Sequence, residues 1–282
     1  MEKEIFIGLL TAGLERFGMK VIKSTFRKLG DSYTGLSLPG SASAVFNADK
    51  AYEEYKKGRP MLEIWREAGA VLHMSMDMQP GELDFIKSFD EAKMRLFLRV
   101  SNHDRNAEYL KGVPHVDVMD LAITFHLLID SDGSSVRQMA VTNELMASWG
   151  VDLETLRREA TISSERLFPA VLLRLSDITG VKLAAPDRAM VLTNIFKVDG
   201  ASVLFYRETV KTLNEQFSEG CYLIPSSIHE FIVIDRRGID VSEVIEQIRS
   251  TNNDRRLIDE EDILSESLYC LDRTGLHRFT YA

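Results

Sequence analysis

Apolar residues near the start of the chain recur every three or four positions: Ile5, Phe6, Leu9, Leu10, Leu14 and Phe17. That spacing predicts an amphipathic helix with one apolar stripe, stopped by Gly18. In "KVIKSTFRKLGDSYTGLSLPG" the pattern shifts to two short β-prone runs about Gly30-Asp31, a predicted hairpin. Its basic residues, Lys20, Lys23, Arg27 and Lys28, read as a solvated strand face. "NADKAYEEYKKG" predicts a short helix capped by Asn47 and ended by Gly58. A second helix, "MLEIWREAGAVLHMSM", runs until "QPGE" breaks it.

From Glu91 the pattern becomes strand-rich. "AKMRLFLRVSN" leads through a polar connector to "VDVMDLAITFHLLID", which reads as one long strand ending at the turn "DSDG", with "SSVRQMAVT" returning as its partner. Met119, Leu121, Ile123, Phe125, Leu127 and Ile129 form its core face; Val118, Asp120, Ala122, Thr124, His126 and Leu128 form the other. Two short helices follow, "NELMASWG" and "DLETLRREA", parted by Gly150, with Asp152 capping the second. "AMVLTN" is a predicted strand. "ASVLFYRETVKTLNEQF" is a predicted helix with Val203, Tyr206, Val210, Leu213 and Phe217 on one side. "YLIPSSIHEFIVID" reads as a strand, "DVSEVIEQIRS" as a helix opened by Asp240 with Glu243 three residues on, and "LSESLYCLDRTGLHRF" as a hairpin about Gly275. The order predicts an α+β fold, a largely antiparallel sheet packed with helices. It divides into a smaller N-terminal α/β subdomain, 1–90, and a main α+β domain, 91–282.

Composition narrows the classes. In 282 residues, 34 basic against 43 acidic side chains leave a formal charge of −9, the wrong sign for neutralising phosphates, so nucleic acid is not favoured as a partner. Cys221 and Cys270 lack C-x-x-C spacing and suit a reducing cytoplasm. The first residues lack the pattern of a signal peptide, and no run approaches the roughly 18 apolar residues of a spanning helix, so a soluble cytoplasmic protein is expected. There is no glycine-rich phosphate loop and no dinucleotide fingerprint. His73, His103, His115 and His277 lie in no ligand spacing. No cofactor and no metal are therefore expected.

Candidate chemistry concentrates in "YLIPSSIHEFIVID". As one strand it places Ser227, His229, Phe231 and Val233 on one face and Ser226, Ile228, Glu230, Ile232 and Ile234 on the other. His229 and Glu230 then diverge, and position 233 is Val, so no zinc-protease signature exists. Ser227 as nucleophile with His229 as base is one reading, requiring a turn at the serines, which Pro225 permits. The other makes the serines a strand entrance and His229 a partly buried, hydrogen-bonded ring, leaving Ser226 and Glu230 as binding candidates. Asp120, Thr124 and His126, with small Ala122 between, floor a shallow cleft, are covered by a helix that satisfies them, or simply face water. Thr142-Asn143 and Thr193-Asn194 are an internal echo. Either they are two strand exits or they are equivalent loops presenting Asn143 and Asn194 at one rim.

"VPHVDVMDLAITFHLLI", "VTNELMASWGVDLETL", "MVLTN" and "YLIPSSIHEFIVI", in this order, together with "YEEYKKG", resemble a bacterial family known as domain of unknown function 5688. The strand–"LTN"–helix–strand portion bears a more distant likeness to domain of unknown function 1444. The resemblance implies an intracellular protein of gut-type bacteria, often from accessory or mobile-element gene sets, and brings no activity, cofactor or catalytic residue. The Pro-Ser-Ser-x-His-Glu run belongs to the family's motif. This chain departs at Ser163-Ser164, where the family commonly has Asn-Thr in what reads as a polar loop. Two functions are expected from different classes. One is a non-catalytic binding or regulatory protein with a protein or small-molecule partner. The other is a hydrolase or ligand-processing enzyme using the Ser-Ser-x-His-Glu segment.

Overall fold

The computed structural model describes residues 1–16, 18–28, 31–39, 45–76, 83–131, 136–179, 189–254, 258 and 260–279. Phe17, Gly30, the "QPGE" break, the second half of the "DSDG" turn and the His73 side chain lie outside the described residues. The chain forms two compact units, Met1–Asp84 and Phe85–Ala282.

In the first unit, helix α1 (Lys3–Arg16) precedes strands β1 (Ile22–Lys28), β2 (Asp31–Ser37) and β3 (Phe46–Asn47), then helices α2 (Ala48–Lys56) and α3 (Met61–Met76). The strands form an antiparallel sheet in the order β1-β2-β3. Helix α1 ends as expected: Gly18 takes φ +80°, the Gly18 amide donates to Glu15 O, and the Met19 amide donates to Leu14 O. Its buried stripe differs from the expected one. Phe6, Ile7, Leu10 and Leu14 are buried with Leu36, Phe46, Ile64 and Leu72, whereas Ile5 and Leu9 are 55% and 47% exposed. A three-and-four spacing admits two overlapping stripes, and packing against the sheet and α3 selects one. Asn47 caps α2 as expected, accepting from the Lys50 amide.

The second unit runs α4 (Phe89–Ala92), β4 (Leu96–Asn102), α5 (Ala107–Leu110), β5 (His115–Val118), β6 (Leu121–Ser131), β7 (Val136–Ala140), α6 (Asn143–Trp149), α7 (Leu153–Leu167), β8 (Ala170–Arg174), α8 (Leu175–Thr179), β9 (Ala189–Asn194), α9 (Arg207–Gln216), β10 (Cys221–Ser227), β11 (Glu230–Asp235), α10 (Val241–Asn253), β12 (Tyr269–Asp272) and β13 (Gly275–Arg278). One sheet has the order β4-β6-β5, with β7 also on β6; the other has the order β13-β12-β10-β11-β9-β8. Every strand pair is antiparallel, and the fold is α+β. Asp152 and Asp240 cap α7 and α10 through the Thr155 and Ser242 amides. Among the described residues no helix is long and apolar enough to cross a membrane.

Two expected single strands are hairpins. "VDVMDLAITFHLLID" folds at Met119-Asp120, with Val118 opposite Leu121 and Met119 in the left-handed region at φ +60°. Leu121, Ile123, Phe125, Leu127 and Ile129 are buried as expected, but Met119 is 38% exposed because it is the turn. "YLIPSSIHEFIVID" folds at Ile228-His229, with Ser227 opposite Glu230 and a bulge between Pro225 and Ser227. Neither turn contains glycine or asparagine, so unbroken alternation conceals both. The expected helix from Ala201 is a 3-10 turn, Gly200–Phe205, separated from α9 by extended Tyr206. Strand β8 was not expected. It pairs with β9 at the sheet edge.

Asp120 fastens the β5–β6 turn to the other sheet. Its carboxylate accepts hydrogen bonds from Ser265 Oγ (2.6 Å), Ser267 Oγ (3.1 Å) and Tyr269 Oη (2.8 Å). Burial pushes the Tyr269 phenol well above its ordinary pKa, so it remains a donor.

Candidate functional site

The β10–β11 hairpin presents different chemistry on its two sides. Tyr222 and Ile224 pair with Ile234 and Ile232, and this face packs beneath Val244, Ile245 and Ile248 of α10. β12 pairs β10 only along Cys221–Leu223, so Pro225, lacking an N–H, sits past the end of that ladder. The bulge turns Ser226 toward Glu230, and its hydroxyl donates to Glu230 Oε1 at 3.3 Å. Here α10 and the sheet part to leave a cavity of about 530 Å³. Ile224, Ile232, Ile239, Val244 and Ile248 wall it; Ser226, Asp240, Glu243, Thr251 and Asn252 are its polar lining.

The other side of the turn is fixed by the loop after β9. The Asp199 amide donates to His229 Nδ1 at 3.0 Å, Thr193 Oγ1 donates to His229 O at 2.7 Å, and the Ala201 amide donates to Ile228 O at 3.1 Å. His229 Nδ1 therefore carries no proton, and Nε2 faces Asp262 Oδ1 at 3.7 Å. Ser227 Oγ accepts from the His229 backbone amide at 3.0 Å. The contact between Ser227 and His229 is thus a local turn bond. The ring nitrogen that receives the Asp199 amide is not free to take a hydroxyl proton.

Asp199 itself anchors a buried polar cluster. It adopts φ +52°, and its carboxylate receives Arg99 Nη2 at 2.6 Å and Gln138 Nε2 at 3.3 Å. The two ionic side chains are only 16% and 10% exposed. Gly200 lets this loop lie on the hairpin. A Cβ there would stand 2.1 Å from Thr193 Oγ1, 2.5 Å from His229 O and 2.8 Å from Asn194 N. Asn194, buried, accepts from the Phe196 amide and donates to Val198 O.

Thr124 and His126 lie on the same sheet face as Arg99, fully covered and joined by a 3.1 Å hydrogen bond. They do not floor a solvent cleft, and Asp120, in its turn, is not on that face with them. Asn143 follows the α6 cap Thr142 and donates to Lys111 O, whereas Thr193 and Asn194 end β9, so the two Thr-Asn pairs stand in different local settings. Ser163 and Ser164 lie inside α7, not in a loop; Ser163 Oγ donates to Met94 O, and Ser164 Oγ accepts from the Leu98 amide. Cys221 and Cys270 are buried free thiols, with burial pushing Cys221 up to about 12.

Burial, and then the nearby Arg99 guanidinium, hold the His126 pKa well below the ordinary imidazole value. Folded His126 stays neutral while the unfolded chain takes up a proton as pH falls through the usual histidine range. Stability from this residue is therefore full above that range and is lost below it, by up to about 1.4 kcal/mol per pH unit. Urea unfolding at pH 7 and pH 5 checks this. His126→Gln should lose less stability between the two pH values than the native protein, and equal losses would refute the assignment.

Sequence reasoning missed two groupings, of which one, Cys270, Asp272 and His277, lies at the β12–β13 hairpin. His103, His115 and Asp117 bring ligand atoms within 4.8 Å of one another. His115 and Asp117 alternate on β5, a readable same-face signal; His103 arrives only through the pairing of β4 and β5 with β6.

Comparison with curated proteins and with solved structures returns no match. The likeness to domain of unknown function 1444 finds no support. The resemblance to domain of unknown function 5688 extends over nearly the whole chain, and on that match, covering residues 14–273, the chain belongs to the Family of unknown function (DUF5688).

Proposed function

We propose that this protein is a non-catalytic binding protein that holds a small amphipathic cation in the cavity beneath α10. One observation carries the reading. The Ser-Ser-x-His-Glu segment divides its side chains: Ser226 lines the cavity and donates to Glu230, whereas Ser227 and His229 are taken up in local turn bonds. A cavity of about 530 Å³ with apolar walls and few polar groups suits a small molecule. Glu243 lines the cavity, and a ligand ammonium beside it would gain a charge-assisted hydrogen bond. The ligand's apolar body would lie on Ile224, Ile232 and Val244.

Calorimetric titration with a graded set of aryl- and alkyl-amines and their neutral alcohol counterparts tests the proposal. Amines should bind more tightly than the alcohols. Glu243→Gln should weaken the amines about tenfold, a loss of about 1.4 kcal/mol. Val244→Trp, which fills the cavity, should abolish binding while the circular dichroism spectrum stays native. Amine affinity indifferent to both changes, or ester hydrolysis that disappears in Ser227→Ala, would overturn it.

A further inference from the structure

We propose that His103, His115 and Asp117 form a binding site for a divalent transition cation of the zinc class. The inference is independent of the cavity. Strand alternation puts His115 and Asp117 on one face of β5. His103 follows β4, and its amide donates to Asp120 O at 2.9 Å, holding it beside the β5–β6 turn. His103 Nε2 lies 3.7 Å and His115 Nε2 3.6 Å from Asp117 Oδ1. Ligands bonded at about 2.0–2.1 Å in tetrahedral geometry stand about 3.3–3.4 Å apart, so a cation would draw each Nε2 toward Asp117 by a few tenths of an ångström, within a set of ligand atoms that already lies inside 4.8 Å.

The outer hydrogen bonds point the same way. His103 Nδ1 meets Asp104 Oδ1 at 2.9 Å, and His115 Nδ1 meets Val113 O at 3.0 Å. Each acceptor holds the proton on Nδ1 and leaves the Nε2 lone pair facing Asp117, the arrangement by which metal-ligating histidines are oriented. Two imidazoles and one carboxylate favour zinc, cobalt or nickel over calcium or magnesium, which prefer all-oxygen shells. Three protein ligands leave a fourth position for water or a bound molecule, unlike the closed sets of purely structural zinc. The side chains are 36%, 27% and 59% exposed, so a cation can enter from solvent. The second grouping, Cys270, Asp272 and His277, is a poorer match: Asp272 is bonded to Thr274 and Arg236, and burial keeps the Cys270 thiol protonated.

The full chain, tag-free and stripped with chelator, is titrated with Zn²⁺ by calorimetry and with Co²⁺ by visible absorption. One equivalent per chain is expected. His103→Gln, His115→Gln and Asp117→Asn should each weaken Zn²⁺ by at least about tenfold, with an unchanged thermal midpoint for the metal-free protein. His277→Gln should bind as the native chain does. Imidazole NMR signals of His103 and His115 should move with Zn²⁺, which reads the site without any substitution. No uptake, uptake that survives Asp117→Asn and His115→Gln, or movement of the His277 signal instead would overturn the proposal.

Discussion

Asp199→Ala is expected to destabilise the Phe85–Ala282 unit by about 3–5 kcal/mol. Arg99 and Asp199 meet at 2.6 Å with little solvent around either. Removing the carboxylate leaves a guanidinium in a dry setting, and Gln138 loses its acceptor as well. The expense comes mainly from the stranded charge, not from the lost attraction. The double variant Arg99→Met with Asp199→Asn should recover most of the loss, since it removes both charges of the buried pair while Asn tolerates the left-handed backbone at position 199. Urea unfolding of the three proteins decides it. A single-variant loss below about 1 kcal/mol, the range of an exposed pair, would show the cluster to be wetter than its burial indicates.

Gly200→Ala should cost about 3 kcal/mol or more, at the high end for overpacking. Two of the three atoms that a Cβ would strike, His229 O and Asn194 N, are backbone and cannot rotate away. The loop must lift off the hairpin, and lifting it strains the Asp199 amide to His229 and the Ala201 amide to Ile228 together. Adding Thr193→Ala removes only the 2.1 Å conflict with Oγ1 and should restore part of the stability. Thermal unfolding measures the loss, and amide hydrogen exchange should show faster opening at Ala201. A native melting temperature for Gly200→Ala would mean that the loop does not rest on the turn.

Helix boundaries were readable because caps act locally: Asn47, Asp152 and Asp240 each bond an amide two or three residues away. Met119-Asp120 and Ile228-His229 were not, because the preference that makes each a turn lies in its pairing partners. Alternation along one strand puts Ser226 and Glu230 on the same face. They do share a side, but across a hairpin with a bulge, which restores the parity that the turn would otherwise change. His126 could be placed on its strand from alternation alone, whereas its burial depends on what covers that face, a long-range fact. The grouping of His103 with His115 and Asp117 depends on register between β4, β6 and β5, which no local motif encodes.

The Asp120 clamp bears on how the two sheets of the larger unit recognise each other. Greasy surfaces tolerate sliding, whereas an anion encircled by two serines and a tyrosine demands donors at fixed bearings. Shifting the β5–β6 turn along β12 by a single residue would strip that anion of its company. Misaligned dockings are therefore penalised at one point, and the assembled unit has a single favoured registry.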